Sequence, residues 1–122
     1  MSRALGGEAV EGSISYAGFS HEKPTPATAK FIENFKKKFN KEPDLFHAQG
    51  YDAILLFANA MTQAKTTNPE VWKDNLAATK DFEGVSGTIS FDADREPVKS
   101  PVILLEVKDA KFSLLEKVPT TK

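Results

Sequence analysis

The sequence contains no cysteine among its 122 residues. This absence excludes disulfide bonds, cysteine catalysis and thiolate metal sites, but a cysteine-free chain suits an oxidising compartment as well as a reducing one. The sequence also lacks any apolar run of the length that a transmembrane helix needs. Residues 1–7 lack the apolar core of a secretion signal, so we expect that an exported protein would be represented here by a processed or recloned piece.

The chain also has no excess of charge of either sign. Sixteen basic and 17 acidic residues leave a formal net charge of −1. This balance gives no electrostatic reason to expect binding to nucleic acid or to an anionic membrane. The apolar residues make up 40% of the chain and the aromatic residues 10%. That is enough for a hydrophobic core, and the length fits one domain.

Motifs for catalysis and metal binding are missing as well. The two histidines are not spaced as a metal-binding pair on one helix. The acidic turn at residues 92–96 resembles the start of a calcium loop, but Pro97 replaces the required glycine and Ile103 replaces the bidentate glutamate. Ser86 is not spaced between glycines as a nucleophile elbow requires. We therefore expect no enzyme activity, no metal and no cofactor.

Two cap-and-proline pairs predict where the first and third helices begin. Thr25 is a good N-cap before Pro26, and an apolar stripe at helical spacing continues to Phe39. A second such start lies at residues 66–69. It predicts a third helix over about residues 70–78 that buries three apolar side chains, Val71, Trp72 and Leu76.

The start of the second helix is the most informative stretch of the sequence. Pro43 ends the preceding segment, and Asp44 is a good N-cap. Phe46 and His47 then fall in the first helical turn, where free N–H groups and the positive end of the helix dipole lie. An aromatic ring there suits a ligand with both a carboxylate and an apolar side chain. The alternative is that Phe46 is a core residue and that the Pro-Asp pair only starts a helix.

The predicted second helix, residues 45–64, is apolar on most of its sides. A helix of this kind is usually covered by neighbouring elements on two flanks. Gly50 within it costs about 1 kcal/mol relative to alanine. We therefore expect Gly50 to permit the close approach of a neighbour.

Alternation of apolar and polar residues predicts a strand at residues 12–17 and further strands after the helices. These later strands cover residues 85–91, 101–107 and 112–118, with a polar turn at residues 92–97. The segment 101–107 is dense in valine, isoleucine and leucine, so we expect it to be buried on both faces. The order is one strand, three helices and three short strands that end in a β-hairpin region, and the fold class is α/β.

Five segments of the sequence form an ordered set of weak motifs, and they are residues 8–12, 25–39, 41–44, 49–53 and 82–92. In their order and spacing these segments resemble the C-terminal third of the solute-binding proteins of branched-chain amino-acid ABC transporters, the leucine-binding-protein type. The resemblance extends from about residue 8 to residue 116. Where the family often has glycine in the turn after Phe91 and Asp92, this chain has Arg95 and Glu96.

The resemblance implies a partial type I periplasmic-binding-protein fold, in which two α/β lobes joined by three crossovers close on a ligand. Strands at about residues 8–18 and 101–118 would belong to the second lobe, and the helices of residues 24–96 to the first. The parent would be a periplasmic or otherwise extracytoplasmic protein. It would bind an amino acid or a related small carboxylate without a cofactor and without changing the ligand chemically. It would then deliver the ligand to an ABC permease in the membrane.

The resemblance also points to candidate ligand-binding residues. Phe46 matches the aromatic position that lines the pocket for the ligand side chain. Gln49 lies one helical turn further, and this spacing, with no role known from the family, lets its side chain reach the same cleft. Phe19 and Ser20 lie near the third crossover and would border the cleft. For Gln49, Phe19 and Ser20 the alternative is a purely structural role.

This chain would hold pieces of both lobes, without the region that supplies the contacts to the ligand's carboxylate and ammonium groups. We therefore expect no binding by this chain alone. Sheet edges left without partners favour self-association or strand exchange. The alternative function is a small stand-alone α/β interaction domain that pairs through the strand edge at residues 102–105.

Overall fold

The computed structural model describes residues 7–120, and within them the chain forms three helices and six strands. The predicted α/β class and the three helices are confirmed. Residues 1–6, on which most of the signal-peptide prediction falls, lie outside the described part. After a short 3-10 helix at Gly7–Val10, the elements in chain order are β1 (Ile14–Ala17), α1 (Pro26–Phe39), α2 (Leu45–Ala64), α3 (Pro69–Ala77), β2 (Phe82–Gly84), β3 (Gly87–Phe91), β4 (Pro97–Ser100), β5 (Val102–Lys108) and β6 (Lys111–Val118).

The strands form two antiparallel sheets of three strands each. One sheet has the order β1-β5-β6 and therefore joins the two ends of the described chain, with Ile14 opposite Glu106 and Ala17 opposite Ile103. The other sheet has the order β2-β3-β4. Five strands follow the helices, so the prediction of three was wrong.

The position of β5 corrects two further predictions. Because β5 pairs with β1 on one side and β6 on the other, residues 102–105 are not a free pairing edge. The interaction-domain alternative is wrong on this point. The prediction that residues 101–107 are buried on both faces is also wrong within the described chain. Only Ile103 and Val107 of β5 are buried, and most of its other residues are half-buried.

The helix starts follow the predicted capping chemistry. The Thr25 side chain accepts a hydrogen bond from the Thr28 N–H at 3.2 Å, with Pro26 in the first helical position. Asn68 caps α3, which begins one residue earlier than predicted. The prediction that α3 buries three apolar side chains is wrong, because Val71 is 48% exposed and Trp72 and Leu76 are only half-buried. Helix α3 contacts α2 through Trp72, whose ring centroid lies 5.6 Å from that of Phe57.

A hairpin replaces the continuous strand that we predicted over residues 85–91. Gly84 pairs with Gly87, so Val85 and Ser86 form a two-residue turn between β2 and β3. Both turn residues are buried. The alternation of side chains continues through this turn, which is why the sequence pattern did not mark a break in the strand.

The turn is held by the carboxylate of Asp52, which lies on α2 and is only 1% exposed. Its Oδ1 accepts a hydrogen bond from the Val85 N–H at 2.7 Å. Its Oδ2 accepts from the Ser86 N–H at 2.9 Å and from the Ser86 hydroxyl at 2.5 Å. A Cβ at Gly84 would lie 2.7 Å from Oδ2. The glycine therefore leaves the space that the carboxylate occupies.

Lys99 extends this network from β4. Its Nζ donates a hydrogen bond to the Ser86 Oγ at 2.9 Å. Burial lowers the pKa of the Lys99 ammonium, while the negative charge of Asp52 acts in the opposite direction. The hydroxyl of Ser86 thus stands between a buried carboxylate and a half-buried ammonium and donates to one while it accepts from the other.

The hydrophobic core lies where this turn meets the helices. Phe19, Phe31, Ala48 and Val85 form a buried cluster, with partly buried side chains from α1 and α2 packed around it. The Thr28 hydroxyl donates to the Val85 carbonyl oxygen at 3.0 Å. The segment after β1, both long helices and the β2–β3 turn therefore meet at one point.

We predict that Asp52→Ala strongly destabilises the chain. The substitution leaves the buried Val85 N–H, the Ser86 N–H and the Ser86 hydroxyl without their acceptor, and each unsatisfied buried group costs on the order of 1–3 kcal/mol. The free energy of unfolding should fall by about 3 kcal/mol or more. Urea denaturation followed by circular dichroism measures this change.

Asp74→Ala is the matched control, since Asp74 lies exposed on α3. It should change the free energy of unfolding by less than about 0.5 kcal/mol. Equal effects of the two substitutions would show that the Asp52 hydrogen bonds do not stabilise the fold.

Candidate functional site

The candidate site is built around the N-terminal end of α2. The Asp44 carboxylate accepts a hydrogen bond from the His47 N–H at 3.1 Å, and the His47 Nδ1 accepts from the Asp44 N–H at 3.1 Å. The first of these bonds is the main reason that the pKa of the Asp44 carboxyl is lowered. Pro43 is fully buried, and its carbonyl oxygen accepts from the His21 Nε2 at 2.8 Å. The predicted cap at Asp44 is confirmed.

This start places Phe46 in the first turn with its ring in solvent. The side chain is 78% exposed. Among the described residues Phe46 is therefore not part of the core. An exposed phenylalanine beside a capped helix start is an apolar surface that a ligand or another part of a protein can cover.

Gln49 follows one turn later and is exposed. Its Nε2 lies 3.9 Å from the position that a Cβ at Gly18 would occupy, and the Leu45 Cδ1 lies 3.0 Å from that position. The first turns of α2 therefore pass close to the segment that leads from β1 to Phe19. The structure brings Gln49 near the predicted residues of that segment.

Phe19 and Ser20 differ in their environments. Phe19 is 6% exposed and belongs to the core, where its ring makes edge contacts with the rings of Phe31 at 6.1 Å and His21 at 5.2 Å. Ser20 is half-buried, and its Oγ accepts from the Glu22 N–H at 3.1 Å. Of the four predicted residues, Phe46 and Gln49 are exposed, Ser20 is partly exposed and Phe19 is buried in the core.

A cavity of about 40 Å³ lies between the Phe19 segment and the β2–β3 turn. It is too small for an amino acid, because sites for small molecules have volumes of about 300–1,000 Å³. Its lining includes Phe19, Ser20, Thr28, Ser86 and Ile103. The cavity shows which side chains face one another at this junction, and sequence reasoning did not identify Thr28 or Ser86.

A larger groove of about 370 Å³ runs between α1 and α2. Sequence reasoning missed it, although the spacing of the aromatic residues on α1 was its signal. Its lining includes His47, beside the helix cap, and the cationic side chain of Lys38. Its other lining residues are Phe31, Asn34, Phe35, Phe39 and Tyr51.

The described residues offer no metal centre. Among residues 7–120, no three histidine, aspartate or glutamate side chains are grouped so that they could hold a metal ion. No helix in the same range is long and apolar enough to cross a membrane.

The arrangement at the start of α2 can supply an apolar surface from Phe46 and an amide from Gln49.

Comparison with known proteins identifies the family. A family model described as periplasmic binding protein matches residues 1–111, and the chain therefore belongs to the periplasmic binding protein family. The resemblance seen in the sequence is thus confirmed. A curated relative, Leu/Ile/Val-binding protein homolog 2 of Brucella abortus (strain 2308), is 26% identical over 117 residues. These residues are 93% of this chain and 31% of the relative.

Solved structures show the same fold. The leucine-binding protein LivK of Thermotoga maritima is 30% identical with a TM-score of 0.82, over 95% of this chain and 33% of that protein. LivJ of Streptococcus pneumoniae, solved in complex with isoleucine, is 38% identical with a TM-score of 0.73, over 88% of this chain and 30% of that protein. This chain has a partial type I periplasmic-binding-protein fold and spans about a third of these relatives.

We predict that Phe46→Ala leaves the stability of the chain almost unchanged, within about 0.5 kcal/mol, because the side chain is exposed. Phe31→Ala is the matched comparison in the core, and it should lower the free energy of unfolding by about 3–5 kcal/mol. Urea denaturation of both variants checks the prediction. A large loss of stability in the Phe46 variant would return that residue to a structural role.

Proposed function

We propose that this chain is part of the solute-binding component of an ABC transporter, in which an amino acid or a related small carboxylate is held between two lobes. The proposal is carried by the exposed Phe46 at the capped start of α2 in a chain that matches, at 38% identity, a protein solved with isoleucine. A curated relative named as Leu/Ile/Val-binding supports the same ligand class. A ligand with a branched aliphatic side chain fits an exposed aromatic surface.

The four candidate residues have distinct roles in this proposal. Phe46 forms an apolar wall for the ligand side chain, and Gln49 offers an amide one turn further along α2. Ser20 borders the cleft from the segment after β1, while the buried Phe19 supports this segment from behind. No nucleophile is required, since the ligand is bound and released unchanged.

The two sheets support a division of the chain between two lobes. β1, β5 and β6 form one sheet and would belong to the second lobe, as proposed for residues 8–18 and 101–118. The helices and the β2–β3 hairpin, which Asp52 ties to α2, would belong to the first lobe, as proposed for residues 24–96. Ligand would then lie near the connections between them, where residues 18–20 approach the start of α2.

The chain supplies one wall of the proposed site. Groups that neutralise the ligand's carboxylate and ammonium would come from the part of the protein that this chain does not contain. The whole protein would be periplasmic or otherwise extracytoplasmic, and it would pass its ligand to a membrane permease. Closure of two lobes around a ligand is a common means of excluding water from such a site.

We predict that a fusion, in which this chain replaces the matching third of Thermotoga maritima LivK, binds leucine and depends on Phe46. Phe46→Ala in the fusion should weaken binding by about 1–3 kcal/mol, because the ligand side chain loses an aromatic contact. Isothermal titration calorimetry with leucine, isoleucine and valine measures the affinities.

Phe112→Ala is the control, since Phe112 is also an exposed phenylalanine, at 43%, but lies on β6. It should leave the affinity unchanged. The isolated chain should give no measurable heat with any of the three amino acids. Micromolar binding by the isolated chain, or full affinity in the Phe46 variant, would contradict the proposal.

We also expect the isolated chain to self-associate through β1. This strand is an edge of its sheet, and its Ile14 and Tyr16 are 61% and 78% exposed. Exposed apolar edges favour pairing with another chain. Sedimentation velocity should show a concentration-dependent dimer that Tyr16→Lys weakens and that Val71→Lys, on exposed α3, does not. A stable folded monomer at all concentrations would count against the proposal that this chain is part of a longer protein whose other strands cover β1.

A further inference from the structure

The ring of His21 joins two separate parts of the candidate site. His21 follows Phe19 and Ser20 in the segment after β1, and its Nε2 lies 2.8 Å from the carbonyl oxygen of Pro43. A carbonyl oxygen can only accept a hydrogen bond, so Nε2 carries a proton and donates it. Pro43 directly precedes Asp44, the cap of α2. The bond therefore ties the segment after β1 to the start of α2.

This bond satisfies a buried acceptor that α2 itself leaves unused. The hydrogen-bond ladder of α2 begins at the Asp44 carbonyl oxygen, which accepts from the Ala48 N–H at 3.1 Å. The Pro43 carbonyl lies one residue before this ladder, and Pro43 is fully buried. A buried carbonyl group without a donor is costly in a folded protein. The His21 N–H therefore supplies the donor that the start of α2 needs.

Two neighbours hold the His21 ring in its orientation. The ring meets that of Phe19 edge to face, with centroids 5.2 Å apart and an interplanar angle of 76°. Its Nδ1 lies 3.4 Å from the Glu42 Oε2, and the Glu42 Oε1 pairs with the Lys36 ammonium of α1 at 2.5 Å. These contacts aim Nε2 at the Pro43 carbonyl oxygen.

The residues after His21 are held by a different part of the chain. The Glu22 carboxylate accepts a hydrogen bond from the Leu114 N–H at 2.8 Å, and the Lys23 carbonyl oxygen accepts from the Lys117 Nζ at 2.7 Å. Both donors lie on β6, in the sheet that would belong to the second lobe. The segment thus passes from the helices to β6 directly after His21. The bond to the start of α2 keeps the residues before this point with the helices.

We infer that His21 is a positioning residue for the ligand site. Its bond to Pro43 holds the first turn of α2, which carries Phe46, against the segment after β1. A site that is assembled before the ligand arrives binds more tightly than one that the ligand must order. The inference rests on the proposed function, which assigns Phe46 to the wall of the ligand site.

Two substitutions separate the hydrogen bond from the ring. His21→Phe keeps an aromatic ring beside Phe19 but has no N–H to donate, whereas His21→Gln loses the ring and keeps an N–H donor at a similar reach. Both are made in the fusion with Thermotoga maritima LivK, and calorimetry measures the leucine affinity. The affinity should fall by about threefold to tenfold for His21→Phe and stay within about twofold for His21→Gln.

Trp72→Phe is the matched control. The indole N–H of Trp72 donates to the Thr67 carbonyl oxygen at 3.2 Å, so this substitution also removes a ring donor from a backbone acceptor and keeps an aromatic ring. Trp72 lies on α3 and contacts α2 at Phe57. The leucine affinity of this variant should stay within about twofold of the unsubstituted fusion.

A double-mutant cycle tests whether His21 acts through Phe46. Once Phe46 is replaced by alanine, His21→Phe should weaken leucine binding by less than about twofold further. Equal losses with and without the Phe46 ring would overturn the inference, because His21 would then affect binding by another route. An affinity of His21→Phe that matches the unsubstituted fusion, or that His21→Gln does not exceed, would also overturn it.

Hydrogen exchange of the Ala48 N–H gives a readout without ligand. This N–H forms the first bond of the α2 ladder, so its exchange rate reports how firmly the start of the helix is held. In the fusion it should exchange about threefold to tenfold faster in His21→Phe than in His21→Gln. Equal rates would overturn the inference. A fusion that binds no leucine would contradict the proposed function, and the exchange rates would still decide whether His21 holds the start of α2.

Discussion

The buried carboxylate of Asp52 is the interaction on which the rest of this structure depends. An ionised group in a protein interior costs several kcal/mol unless its hydrogen-bonding capacity is filled. Here two backbone N–H groups and one hydroxyl of the β2–β3 turn fill it, and Lys99 reaches it through Ser86. The turn and α2 are thereby held in one relative position, although 33 residues separate Asp52 from Val85 in the chain.

The fixed position of α2 determines what its first turn presents. The Asp44 cap and the buried Pro43 set where the helix begins, and the Asp52 network sets how the helix is placed against the core. Phe46 therefore projects from a rigid support. Binding sites on rigid elements hold their geometry better than sites on loops. The candidate site thus places an exposed aromatic ring on an anchored backbone.

The sequence predicted features that depend on neighbouring residues and missed those that depend on distant ones. The starts of α1 and α2 were predictable because Thr25 and Asp44 act within three residues of themselves. The turn at Val85 was not, because its acceptor is a side chain on another element. The exposure of Phe46 was equally hidden. An apolar residue at a helix start looks the same in sequence whether the fold covers it or leaves it in solvent, so only part of the candidate site could be foreseen.

Gly84 and Asp52 have a joint consequence for how this protein can vary. Any side chain at position 84 would begin 2.7–2.9 Å from the carboxylate atoms of Asp52, so the glycine can be replaced only if the carboxylate leaves. Loss of the carboxylate, in turn, removes the reason for a glycine at that position. Among proteins that share this hairpin we therefore expect a side chain at position 84 only where position 52 no longer carries a carboxylate.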